Sequence, residues 1–286
     1  MRWLSIIILI FLTQKILHSK DLIRTDFFQS KLNWNQLTIL LPVKETIPRV
    51  ITDSSDPEYG TQNTAYNVSE ARNKALGVAK EKISLQSART LEYIRLNNEF
   101  QISEKVASDE AFRIKFNKFF LEDKSEMKIK YLKDKIYVES LIRFKGQSGL
   151  LNFLNIEYDT EKFPIFEKAS EKFDYTGLIL DARHLDAETA LFPKILTDKG
   201  VEIYSAKLVS KKFAIDRGIV SYETDPTLAK NNPRVGSNPL LVVALTTLGK
   251  SKTDFSIPTI EGMKLLSSDD TKNSLRKCSV VILLSK

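Results

Sequence analysis

The chain has little of the side-chain chemistry on which most enzymes depend. Its 286 residues include one cysteine, Cys278, and two histidines, His18 and His184. A single thiol excludes an internal disulfide framework and a CxxC redox or metal site. Cys278 stands just before the run VVILL, where a small apolar core residue is expected rather than a reactive thiol. His18 lies in an N-terminal stretch expected to be removed, so neither a histidine-based zinc site nor any other metal or cofactor is expected. Long apolar runs are scarce as well. Beyond the N-terminus no segment approaches the ~18 consecutive apolar residues of a membrane span.

The charge balance is basic but diffuse. The net charge of +7 is spread along the chain without a concentrated stripe, so no nucleic-acid partner is expected. Contact with anionic lipid or cell-wall polymer is the alternative to a plain solvated surface. Hydrophobic residues at 42% and charged residues at 28% fit a globular chain of one large or two ordinary domains.

The N-terminus has the layout of an export signal. Met1, Arg2 and Trp3 provide a positive start, Leu4 to Leu12 an apolar run, and TQKILHSKD a polar exit. Ser19, with Leu17 two positions earlier, sets an expected cleavage point, giving residues 1–19 as the signal peptide. An uncleaved anchor helix is the alternative. No cysteine stands near this point to carry a lipid.

Along the mature chain, Leu37–Val43 is expected to form a strand, and the turn-rich TDSSDPEYGTQNT of Thr52–Thr64 a loop. A long helix is expected from Asn67, with Glu70 completing a capping box and a kink near Ser84–Ser87. Val68, Ala71, Ala75, Ala79 and Ile83 recur at helical spacing, with Leu91 and Ile94 further on. Phe112, Phe116, Phe119 and Phe120 share a second helical face, expected in the core rather than on a partner. MKIKYLKDKIYVESLIRF alternates with period two around Asp134-Lys135 and is expected to be a hairpin. Residues 155–174 read as a connector with room for a short helix. Beyond it come a strand at Tyr175–Asp181, a hairpin turning at Gly200, apolar strands at Leu240–Leu248 and Ser279–Leu284, and a short helix at Ile260–Leu266.

The expected class is therefore α+β: a helix-and-hairpin domain over 20–154, a connector, and a mainly antiparallel β-rich module over 175–286. The helix EARNKALGVAKEKI followed by MKIKYLKDKIYVESLIRF resembles the unit of the Lpp-twenty-like lipoproteins, shared by the N-terminal domain of the flagellar assembly protein FlgT. YTGLILDAR, FPKILTDKGVEIY and RVGSNPLLVVAL through CSVVILL are similar to the C-terminal part of larger bacterial envelope proteins. The resemblance implies an envelope protein with envelope or flagellar proteins as partners; the export signal sends it to the periplasm, and the absence of a lipidation cysteine departs from the lipoprotein pattern.

One dense polar cluster adjoins a buried strand: Asp181, Arg183, His184, Asp186 and Glu188. Asp181 with His184 would make an acid/base pair for an envelope hydrolase. The alternative is that Asp181 pairs with Arg183 and His184 faces solvent, and no second histidine or nucleophile motif completes a site in the mature chain. That alternative is the expected one, with no catalytic residues. Asp134-Lys135 and Asp198-Lys199-Gly200 read as turns. GQSGLL at Gly146–Leu151 lacks the Lys-Ser/Thr ending of a phosphate loop. Asp269-Asp270 reads as a turn or helix cap rather than a calcium ligand pair. In Arg234–Pro239, Gly236 and Asn238 supply turn angles and Pro239 opens a strand.

Overall fold

A computed structural model describes residues 23–26, 29–48, 65–122, 126–166 and 172–285. The expected signal peptide at 1–19 and the loop at 52–64 lie outside the described residues. The fold is α+β, and it begins with a five-stranded antiparallel sheet. Strands β1 (Ile23–Asp26), β2 (Ser30–Asn33), β3 (Thr38–Thr46), β4 (Glu126–Tyr131) and β5 (Lys135–Arg143) lie in the order β1-β2-β3-β5-β4. Period-two alternation builds the expected hairpin: Ile136, Val138, Ser140 and Ile142 of β5 are buried, while Tyr137 and Glu139 between them are exposed.

Helix α1 (Ala65–Glu92) runs unbroken through Ser84–Ser87, where a kink is expected from the sequence. The Ser87 hydroxyl donates back to the Ser84 carbonyl, so Ser87 is satisfied inside the helix. Asn67 is buried within the helix rather than capping it, because the helix starts two residues earlier. Ala71, Ala75, Ala79 and Ile83 form the buried stripe. Methyl-sized side chains let the helix axis approach β3 and β5 closely, and each fully buried Ile or Leu adds about 1.5–3 kcal/mol.

After α1, a loop and two helices, α2 (Ile102–Ser108) and α3 (Glu110–Leu121), complete the first half. Asp109 caps α3 by accepting the Phe112 N–H at 2.9 Å. Phe112, Phe116 and Phe119 are buried, as the helical spacing requires, and Phe119 meets Phe153 of α4 (Leu150–Phe153) edge-on at 5.5 Å. The Phe face is core.

The second half departs from expectation. Strands β6 (Gly177–Asp181), β9 (Ser221–Glu223), β10 (Pro239–Val243) and β13 (Val280–Leu283) form a four-stranded sheet, order β10-β6-β13-β9, in which every pair is parallel. A mainly antiparallel module is thus corrected to one with a parallel central sheet. A parallel sheet needs crossovers, supplied by α5 (Lys211–Arg217), α6 (Pro226–Lys230), α7 (Thr259–Leu265) and α8 (Asp269–Arg276). A smaller mixed sheet, order β11-β12-β7-β8, holds β7 (Ile195–Thr197), β8 (Glu202–Tyr204), β11 (Thr246–Leu248) and β12 (Asp254–Ile257).

The apolar run Leu240–Leu248 splits between the two sheets, and Gly200 turns β7 into β8 at φ +77°. Gly177 is needed where β6 enters. A Cβ there would sit 2.6 Å from the Ser279 carbonyl and 2.8 Å from Val235 Cα. Ser268 and the acidic first turn open α8, so Asp269-Asp270 is helix-start chemistry.

One buried cluster runs through both halves. It joins Ile39, Leu41 and Phe112 to Leu178, Tyr222 and Ile282, and Trp34 meets Tyr222 edge-on with ring centroids 5.8 Å apart. The described part of the connector has no helix; it packs Phe163 into this core and links Arg276 to Asp159 at 3.0 Å. No described helix is long and apolar enough to cross a membrane.

Candidate functional site

In open sheets of parallel strands, ligands bind at the carboxyl ends of the strands, where the order of connection reverses. Asp181 ends β6 at this edge. Its register partner Leu283 on β13 also aligns with Glu223 on β9, so two carboxylates stand two strands apart in one row. The strand spacing puts their backbones about 10 Å apart. Glu223 is buried and accepts from Asn232 Nδ2 and Asn35 Nδ2, each at 3.4 Å. Asp225 caps α6 by accepting the N–H groups of Thr227 and Leu228.

Asp181 is fully engaged. Its Oδ1 accepts from Arg183 Nε at 2.9 Å, and its Oδ2 from Arg183 Nη2 at 2.6 Å. This bidentate clasp holds the Asp181 carboxyl below its ordinary value. A carboxylate so stabilised is a weak base. His184 is exposed, and among the described residues no hydrogen bond joins it to Asp181.

The remaining two members of the sequence cluster lie elsewhere. Asp186 and Glu188 line a cavity of about 410 Å³ with Trp34, Tyr93, Arg95 and Lys252, where the two halves of the chain meet. Lys252 pairs with Asp186, and Arg95 donates to Ser251 Oγ at 2.5 Å. The junction is built by backbone as well: Leu191 N donates to Arg95 O at 3.0 Å and Phe192 N to Leu96 O at 2.7 Å. The sequence cluster is therefore two structures, an arginine clasp and a wall of the junction.

Cys278 is buried at φ +61°, and burial pushes its thiol up to about 11, which keeps it protonated at neutral pH. Above it lies a feature missed in the sequence. Arg234 donates to the carbonyls of Gly218 at 2.9 Å, Cys278 at 2.8 Å and Arg217, while Arg217 donates to Arg234 O at 3.0 Å. These carbonyls lie at and just beyond the C-terminal ends of α5 and α8, where the helix dipole favours cations. Gly236 supplies the expected turn angle at φ +71°, whereas Asn238 has no positive φ and acts through its side chain, donating to Asp174 O at 2.9 Å. No group of three His, Cys, Asp or Glu side chains that could hold a metal ion occurs among the described residues.

Residues 177–286 match a family model described as the second domain of Treponema pallidum Tp0624. The likeness covers the parallel-sheet half. It is less than half of the chain, and no curated protein matches. The Tp0624-like module thus contains the Asp181 clasp, Asp186, Glu188 and the Arg234 staple, whereas Trp34, Tyr93 and Arg95 of the junction lie outside it.

Proposed function

We propose that this chain is an exported envelope protein that acts by contact with other proteins rather than by catalysis, with the flagellar apparatus the first place to seek its partner. The observation that carries the reading is strand β10. Parallel sheets are normally covered on both faces. Here β6, β13 and β9 are buried, yet on the edge strand and just beyond it Leu241, Val243 and Leu245 are 61%, 56% and 49% exposed. Among the described residues no strand pairs with the outer edge of β10. Such an edge beside an apolar row suits an extended segment of a partner protein, adding backbone hydrogen bonds along β10 and side chains over the row. The hydrolase alternative requires a free Asp181, and the Arg183 clasp counts against it.

A photocrosslinking residue placed at Val243 in intact cells is expected to give a discrete adduct with another envelope protein. One placed at exposed Lys74 on α1 is expected to give none. Leu241→Asp in the Val243 probe should abolish the adduct without lowering the melting temperature. Equal labelling from both positions, or an adduct indifferent to Leu241→Asp, would overturn the reading.

A further inference from the structure

The first sheet has two unlike faces. One is covered by α1 and the Phe helix; none of the described helices packs on the other. Register places Lys44, Tyr137 and Lys130 in one row across β3, β5 and β4, and Pro42, Glu139 and Lys128 in the next. Lys44 Nζ lies 5.3 Å from the centre of the Tyr137 ring. Among the described residues Lys44, Lys128 and Lys130 form no ion pair, and Glu139 is the one carboxylate in these two rows. Lys128, Lys130, Tyr137 and Glu139 line a shallow groove of about 510 Å³ with Ile129 and Leu132. Tyr137 and Leu132 are 37% and 38% exposed there.

We propose that this face docks the protein on an anionic lipid surface. Three lysines on a rigid sheet match a layer of lipid phosphates in charge, and an anionic polymer would satisfy them equally. The apolar and aromatic side chains decide between the two. Leu132 and Tyr137 gain nothing from a hydrated polymer, but they enter the boundary between headgroups and acyl chains, where Tyr is favoured. The face supplies a second contact beside the β10 edge, on the opposite half of the chain, and does not depend on that edge.

The test is binding of the full chain to vesicles of phosphatidylcholine alone and of phosphatidylcholine with about one-third phosphatidylglycerol, read as the ratio of the two. The ratio cancels the apolar contribution of the N-terminal run, and its charges, common to every variant, cancel when variants are compared with the wild type. Each lysine near such a surface contributes about fivefold, so Lys44→Gln/Lys128→Gln/Lys130→Gln is expected to lower the ratio roughly a hundredfold. Leu132→Ser should weaken anionic binding even at low salt. A control with the same charge change on other faces, Lys74→Gln/Lys80→Gln/Lys211→Gln, should lose less than about fivefold. Equal losses in the two triple variants would overturn the proposal. So would a ratio near one for the wild type, or lysine-dependent binding to soluble polyphosphate with no preference for anionic vesicles.

Discussion

Arg234→Met is expected to destabilise the protein by about 3 kcal/mol, seen as a lower urea midpoint with an unchanged slope. Methionine fills the volume but donates nothing. The carbonyls of Gly218 and Arg217 lose their Arg234 donor, whereas Cys278 O keeps the bond from Arg217 Nη2 at 3.3 Å. Opposing this, removal of one cation relieves its neighbours. Burial, and then the nearby Arg217, push the Arg234 guanidinium down to about 10, and burial followed by the arginine pair lowers Lys145. Arg234 stays charged at neutral pH, and leaving the Gly218 and Arg217 carbonyls without their donor is expected to cost more than the relief of burial and repulsion returns. Arg234→Lys, whose ammonium lacks the planar fork, should fall between the two. A methionine variant as stable as wild type would show that the staple contributes nothing.

Asp254 gives the largest expected pH effect. Its carboxyl is buried at the start of β12, accepts the Lys194 N–H at 2.9 Å, and is pushed up to about 6 by burial, with Glu202 and Glu99 adding to the rise against Lys194. An acid whose folded value exceeds its unfolded value of 3.8 binds more protons when folded. Its contribution therefore grows as pH falls from about 6 towards 4 and is absent above about 7. Asp254→Asn keeps an acceptor for Lys194 without the charge. It should be more stable than wild type by on the order of 2 kcal/mol at pH 7.5 and equal to it near pH 4. Comparing the two proteins removes the opposite trend of Asp181, whose depressed value makes stability fall at low pH. A constant difference across this range would refute the assignment.

The first half of the fold was readable because its signals are local. Period two in β5 and 3.6-residue spacing in α1 and α3 each depend on neighbours in sequence. The parallel sheet was less readable. GLILD and VVIL are buried on both faces, so they carry no alternation from which pairing could be inferred, although such unbroken apolar runs are themselves typical of parallel strands. The Asp181–Arg183 clasp was visible because its members are two residues apart. The Arg234 staple joins the end of α5, the turn before β10 and Cys278, two residues before β13, and only the fold brings those carbonyls together. The helix cap expected at Asn67 failed because a capping pattern is also compatible with a position inside a helix.

A protein partner laid along β10 is the proposed means by which the chain works. Native electrophoresis of gently solubilised cell envelopes tests it directly, comparing wild type with Leu241→Asp/Val243→Asp. The wild-type mature chain is predicted to migrate within a complex well above its own mass, and the double variant at the mass of the free chain with its melting temperature unchanged. Identical migration of the two would rule out a partner held along β10.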